Sequence, residues 1–135
     1  MALRCCVGRG DMRGALFAMI LVAGCAQQEA AVTLCAALVQ GCALEHGALF
    51  VQSDSAPVAL KPFGLMVVAP AAQDVHVELR MQGMEMGLNR YRLIRQVNGE
   101  WRAAIILPVC VAGRRDWLMV IEVDGARRTL RFQAG

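Results

Sequence analysis

Three methionines lie within six residues of one another in the segment "MQGMEMGLNRYRL", residues 81–93. Their thioether sulfurs are soft donors of the kind that Cu(I) prefers, and a thioether stays a ligand in an oxidising compartment where a free thiol is lost. The candidate ligands are Met84 and Met86, which would be completed by Met81, Cys110 or His76. Methionine also fills hydrophobic cores flexibly, so the segment is either a soft-metal site or a stripe of core residues.

The strand predicted before these methionines bears on that choice. In "DVHVELRM", apolar and polar residues alternate, which is typical of a half-buried strand. Its core-facing residues are Val75, Val77, Leu79 and Met81, and its polar face includes His76. Simple alternation would leave Met84 and Met86 exposed on the opposite face, whereas a bulge at Gly83 would return both to the core side.

Short strands and tight turns are predicted for the rest of the chain, with no long helical pattern. "GALFVQS", "APVALKP" and "GLMVVAP" are strand candidates, and "VTLCAALV" fits a strand or a helix. Asn98-Gly99 would join "RYRLIRQV" to "WRAAIILPV", and Asp124-Gly125 would join "WLMVIEV" to "ARRTLRF", both as hairpins with type I′ turns. This pattern predicts an all-β fold, an immunoglobulin-like β-sandwich of about seven strands, with Trp101 and Trp117 in its core.

The ends of these strands suggest where the methionines lie. Gly83 and Gly87 interrupt regular pairing around Met84 and Met86, and Pro108 ends the strand that leads to Cys110. We therefore expect the two thioethers at one end of the sandwich, close to Cys110, with at least one of them partly exposed.

The first 24 residues have the properties of a secretory signal. A basic start precedes the apolar run "ALFAMILVAG", which is too short to span a bilayer. The run ends in "LVAGC", which resembles the bacterial lipoprotein signal and is complete whether Met1 or Met12 is the start. The resemblance implies a signal peptide over 1–24, a tether over 25–31 that begins at lipidated Cys25, and a β-sandwich domain over 32–135.

A lipoprotein signal implies attachment to the periplasmic face of a bacterial membrane through acyl chains such as palmitate on Cys25. Ala26 stands where an aspartate would resemble an inner-membrane retention signal, which favours the outer membrane. The periplasm permits disulfides. Cys35 and Cys42 are the candidates for a local pair, and a bridge from either of them to Cys110 is the alternative.

Composition and motifs argue against several classes of function. The net charge is +3, and no basic run alternates with aromatic residues, so a nucleic-acid partner is not expected. The chain has no P-loop, GxSxG, HExxH or GxGxxG motif and only two histidines, so we do not expect an enzyme.

Four short segments together resemble a group of small periplasmic lipoproteins of Gram-negative bacteria. They are the Met-Gly segment 84–87, the Asn-Arg-Tyr triplet 89–91, the "LPVC" segment 107–110 and the basic-Asp-Trp segment 114–117. This group is distantly similar to FixH and YtkA-like domains, which are immunoglobulin-like and linked with oxidase assembly, and it often accompanies Sco-type copper chaperones. The resemblance implies handling of Cu(I) for cytochrome oxidase assembly, with an oxidase-assembly protein as partner.

An interaction module without metal is the second hypothesis. Such a protein would dock an envelope partner through a sheet face or edge, and Arg90, Arg92 and Arg95 would then matter more than the methionines. These arginines also fit the solvated face of a strand.

Overall fold

The computed structural model describes residues 31–110 and 112–135. The predicted signal peptide over 1–24, the lipidation site at Cys25 and the tether up to residue 30 lie outside the described residues. No helix within the described part of the chain combines the length and the apolar character needed to cross a membrane.

Within these described residues, ten strands form two five-stranded sheets that pack as an all-β sandwich. The strands are β1 Val32–Leu34, β2 Cys42–Leu44, β3 Leu49–Ser53, β4 Pro62–Val68, β5 Val75–Arg80, β6 Arg90–Arg92, β7 Ile94–Arg95, β8 Trp101–Ile106, β9 Asp116–Val123 and β10 Ala126–Gln133. The first sheet has the order β1-β10-β9-β5-β6, and the second has the order β2-β3-β4-β8-β7. All pairs are antiparallel except β1 with β10. The predicted β-sandwich is confirmed.

The core lies between the sheets and follows the alternation of the strands. In β5, Val75, Val77 and Leu79 are buried and the intervening side chains face outward, as the pattern predicts. Trp101 and Trp117 are both buried, at 5% and 2% exposure. The indole N–H of Trp101 donates to the carbonyl of Ala69 at 3.3 Å, which satisfies its polar atom.

Two strand predictions are wrong, one because of a local turn and one because the chain changes sheets. The segment "APVALKP" forms no strand before Pro62, since Lys61 N–H bonds back to the Val58 carbonyl and Leu60 has a φ of 63°. The segment "RYRLIRQV" is not one strand, because it pairs with the first sheet as β6 and with the second as β7. Leu93, at 1% exposure, lies where the chain changes sheets. The short strands β1 and β2, together with the division of this segment into β6 and β7, raise the number of strands in the described residues above seven.

The two hairpin turns differ from each other. Asp124 and Gly125 both have positive φ, 49° and 84°, between the paired residues Val123 and Ala126, so the predicted type I′ turn is confirmed. In the other hairpin only Gly99 has positive φ, and its N–H bonds to the Gln96 carbonyl. That is a type I turn followed by a left-handed glycine, so the prediction of a type I′ turn at this site is wrong.

Cys35 and Cys42 form a disulfide, with their Cα atoms 5.8 Å apart. The ambiguous segment "VTLCAALV" is β1 followed by a short 3₁₀ turn, Leu38–Gln40, which lies inside the disulfide loop. A second 3₁₀ turn spans Glu45–Gly47. Cys110 is the free cysteine of the described residues.

Candidate functional site

The methionine segment begins with a tight turn at the end of β5. Met84 N–H bonds to the Met81 carbonyl at 3.3 Å, and Gly83 has a φ of 74°. Positive φ at the third residue alone is the pattern of a type II turn, which requires glycine there. Met84 and Met86 therefore follow neither the simple alternation nor the bulge, because the strand stops at Arg80 and the chain folds back on itself.

A second turn faces the first across the same end of the sandwich. Strand β8 ends at Ile106, two residues before Pro108, and Gly113 N–H then bonds to the Cys110 carbonyl at 3.1 Å. The thiol of Cys110 donates to the thioether sulfur of Met84, with the two sulfurs 3.6 Å apart. The two turns thus place a soft thiol against a soft thioether.

A groove of about 710 Å³ runs along the methionine segment. Met81, Met84 and Met86 all line it, together with Glu78, Arg80, Gly83 and Glu85. Met81 is 3% exposed and belongs to the core, whereas Met84, Met86 and Cys110 are half-buried. Cys110 does not line the groove itself, but its thiol contacts Met84, which does. We call Met81, Met84, Met86 and Cys110 the sulfur cluster.

The structure does not bring His76 to the sulfur cluster. Its imidazole faces outward from the first sheet, and Nδ1 lies 3.0 Å from a carboxylate oxygen of Asp74. His76 is also near the start of β5, whereas the sulfur cluster follows its end.

An arginine connects the two turns. Arg114, directly after the second turn, donates from Nη1 to the carbonyl of Gln82 in the first turn at 2.8 Å. Its Nε and Nη2 both bond to the carboxylate of Asp116. This bond raises the pKa of the Arg114 guanidinium, with a smaller contribution from Cys110, and lowers the pKa of Asp116.

Sequence reasoning missed these polar residues. Arg114 and Asp116 were named only within the basic-Asp-Trp segment of the family resemblance, and no role was predicted for Gln82. Arg131 was missed as well, although its Nη2 donates to the Gln82 side chain at 2.9 Å. Arg114 and Arg131 lie 32 and 49 positions from Gln82 in the sequence, so no local sequence pattern predicts these contacts.

Comparison with models of known families, with curated proteins and with solved structures finds no match to this chain. The resemblance to small periplasmic lipoproteins and FixH or YtkA-like domains therefore stays a prediction. Among the described residues, no three His, Cys, Asp or Glu side chains converge in a way that could hold a metal ion.

Proposed function

We propose that this protein binds Cu(I) at the sulfur cluster and assists cytochrome oxidase assembly from the periplasmic face of a bacterial membrane, favouring the outer membrane. Lipidated Cys25 would anchor it, and an oxidase-assembly protein would be its partner. The observation that carries the copper assignment is the 3.6 Å contact between the Cys110 and Met84 sulfurs.

The distance suits two ligands of one ion. With metal–sulfur bonds of about 2.3 Å, the length known for zinc, two sulfurs on one ion lie at most about 4.6 Å apart. A thiolate and a thioether are soft ligands, which favours Cu(I) over the harder divalent ions. Met86 and Met81 line the same groove and supply further thioethers.

Partial exposure also supports a binding role for the cluster. A core filler needs no access, yet Met84, Met86 and Cys110 are each half-buried, and the groove opens beside two of them. An ion could therefore reach the sulfurs without unfolding of the sandwich.

The alternative, a metal-free module that docks through Arg90, Arg92 and Arg95, has less support. Arg90 pairs with Glu122 at 3.0 Å and Arg92 pairs with Asp74 at 3.2 Å. Arg95 lies over the Trp101 ring, 5.9 Å from its centroid. Each arginine has an intramolecular partner, as expected for the outer face of a sheet.

The copper assignment is tested by replacing Met84 and Met86 together with leucine. This nearly conserves volume, so the free energy of unfolding should change by less than about 1.5 kcal/mol per site. Cu(I) affinity, measured anaerobically on the exported protein against a competing chelator, should fall more than about a hundredfold, beyond the usual effect of an outer-shell substitution. Cys110→Ser should also weaken binding.

Met66→Leu is the matched control. Met66 is also half-buried, but it lies on β4, where its sulfur accepts from Arg102 at 3.7 Å. Its replacement should leave Cu(I) affinity within about twofold, as for a distant independent site. Equal affinity in the parent and the double-leucine variant would mean that the methionines serve packing alone.

Lipid attachment is tested separately by Cys25→Ser in the native host. Acylation accounts for membrane retention, because several acyl chains together give stable anchoring. The variant should leave the membrane fraction or accumulate unprocessed. Unchanged mass and unchanged membrane partition would refute the anchor without affecting the copper assignment.

A further inference from the structure

We infer that Arg114 is a positioning residue that sets the contact between Met84 and Cys110 by joining the two turns that carry them. The inference rests on the proposed function, because the contact matters only if the sulfur cluster binds Cu(I). The hydrogen bonds from which it is argued involve no metal ion.

The guanidinium of Arg114 makes bonds in two directions. Nε and Nη2 grip the Asp116 carboxylate, which lies at the first position of β9. The remaining Nη1 reaches the backbone carbonyl of Gln82, the second residue of the Met81–Met84 turn. One planar group therefore connects the first turn to β9, the strand that begins three residues after Gly113 of the second turn.

The first turn needs such a tie. It lies beyond the last residue of β5, and its closing hydrogen bond is long, at 3.3 Å. A Cβ at Gly83 would meet nothing within 4 Å, so no side chain or backbone packs against this position of the turn. Arg114 donates to the Gln82 carbonyl and Arg131 donates to the Gln82 side-chain oxygen, so both arginines hold the second residue of the turn.

Arginine suits this role better than lysine. Its donors are held in a rigid fork that grips a carboxylate with two N–H groups and still presents a third in the same plane. Lysine keeps the positive charge but lacks this fixed geometry. Replacement by lysine therefore separates the effect of charge from the effect of bridging.

The chain contains a matched control. Arg115 is exposed, carries the same charge next to Arg114, and its backbone carbonyl accepts from Ala134. Its side chain forms no hydrogen bond or ion pair within residues 31–110 and 112–135. Arg115→Ala thus removes one positive charge at this end of the sandwich and leaves both turns connected.

The first readout needs no metal. In the exported protein, a nuclear Overhauser effect between the Met84 methyl group and the Cys110 β protons reports their proximity. It should be present in the parent and in Arg115→Ala, and lost in Arg114→Ala and Arg114→Lys. Thermal unfolding of each variant checks that the sandwich remains folded, and the lysine variant serves if the alanine variant does not fold. Persistence of the signal in a folded Arg114 variant would overturn the inference.

The second readout is Cu(I) affinity, measured against a competing chelator in anaerobic solution. Arg114→Ala and Arg114→Lys should each weaken binding by about 10- to 100-fold, as residues that orient metal ligands typically do. Arg115→Ala should stay within about twofold of the parent. Full affinity in either Arg114 variant would overturn the positioning role. A parent that binds no Cu(I) would refute the proposed function, and the metal-free readout would then decide the inference alone.

Discussion

Gly83 is the residue that separates the two geometries left open for the methionines. Its φ of 74° turns the chain back after Met81, and the space around its Cα is open. Glycine is therefore required because of its positive φ and not because a side chain would clash with neighbouring atoms. Because the chain turns there, Met84 leaves the line of β5 and contacts Cys110.

Ser53 is a residue whose polar group is buried without a partner. It occupies an inward position of β3 at 2% exposure, and its hydroxyl forms no hydrogen bond with any described residue. A buried unsatisfied polar group typically costs about 1–3 kcal/mol. Ser53→Ala removes this cost but also loses some packing around the oxygen. We therefore expect the free energy of unfolding, measured by urea denaturation, to rise by about 1 kcal/mol.

Ser55→Ala is the control for this prediction. The Ser55 hydroxyl is exposed and donates to Asp54 at 2.9 Å, so its loss should change stability by no more than about 0.5 kcal/mol. A clear destabilisation by Ser53→Ala would show that the Ser53 hydroxyl makes a bond in solution.

At the level of single elements, local sequence accounts for much of the fold. The alternation of "DVHVELRM" predicted the faces of β5 because a strand with one buried side has period two. Asp124-Gly125 predicted its turn because both residues tolerate positive φ. These features depend on neighbours within a few residues, so they can be read without the tertiary structure.

Other elements depend on distant contacts and could not be predicted in the same way. The chain from Arg90 to Arg95 has one continuous strand pattern, yet it changes sheets at Leu93, because β6 pairs with β5 and β7 pairs with β8. The proximity of Met84 and Cys110 was expected from strand-end signals. The polar residues that position their turns, Gln82 and Arg114, were not, because their contact spans 32 positions.

Asp124 supports two elements at once, and its replacement should show both roles. Besides its place in the hairpin turn, its Oδ1 accepts the N–H groups of Gln73 and Asp74 at 2.9 and 2.8 Å, just before β5. Asp124→Ala removes this acceptor and places alanine at positive φ, so it should lower the free energy of unfolding by about 2 kcal/mol.

Asp124→Asn distinguishes this account from a simple effect of charge. Asparagine keeps an oxygen acceptor and also tolerates the left-handed conformation, so the loss in urea denaturation should be below about 0.5 kcal/mol. Equal destabilisation by both substitutions would contradict the double role of Asp124.

For the molecule as a whole, the two sheets are joined along both flanks of the sandwich. On one flank the chain itself crosses from β6 to β7 at Leu93. On the other flank the edge strands are β1 and β2, and the disulfide joins Cys35, directly after β1, to Cys42, the first residue of β2. The loop between these cysteines also inserts Leu38 into the core at 3% exposure.

The sulfur cluster lies away from the disulfide flank. It follows β5, which is three strands from β1 in the first sheet. At a spacing of about 4.8 Å per strand, that is a separation of about 14 Å across the sheet. We therefore expect loss of the disulfide to lower the stability of the sandwich and to leave the geometry of the sulfur cluster unchanged.

Replacing Cys35 and Cys42 together with alanine tests this separation. The cysteines are seven residues apart, and closing a loop of that length contributes about 2.5 kcal/mol in the chain-entropy account. For a domain of this size, Tm should fall by roughly 10–20 °C. Below the new Tm, Cu(I) affinity should stay within about twofold of the parent, because the sulfur cluster follows β5, three strands from β1 in the first sheet. Thiol counts on denatured parent protein should rise by two on reduction. An unchanged Tm, or a thiol count that does not rise, would show that the disulfide does not hold this flank in solution.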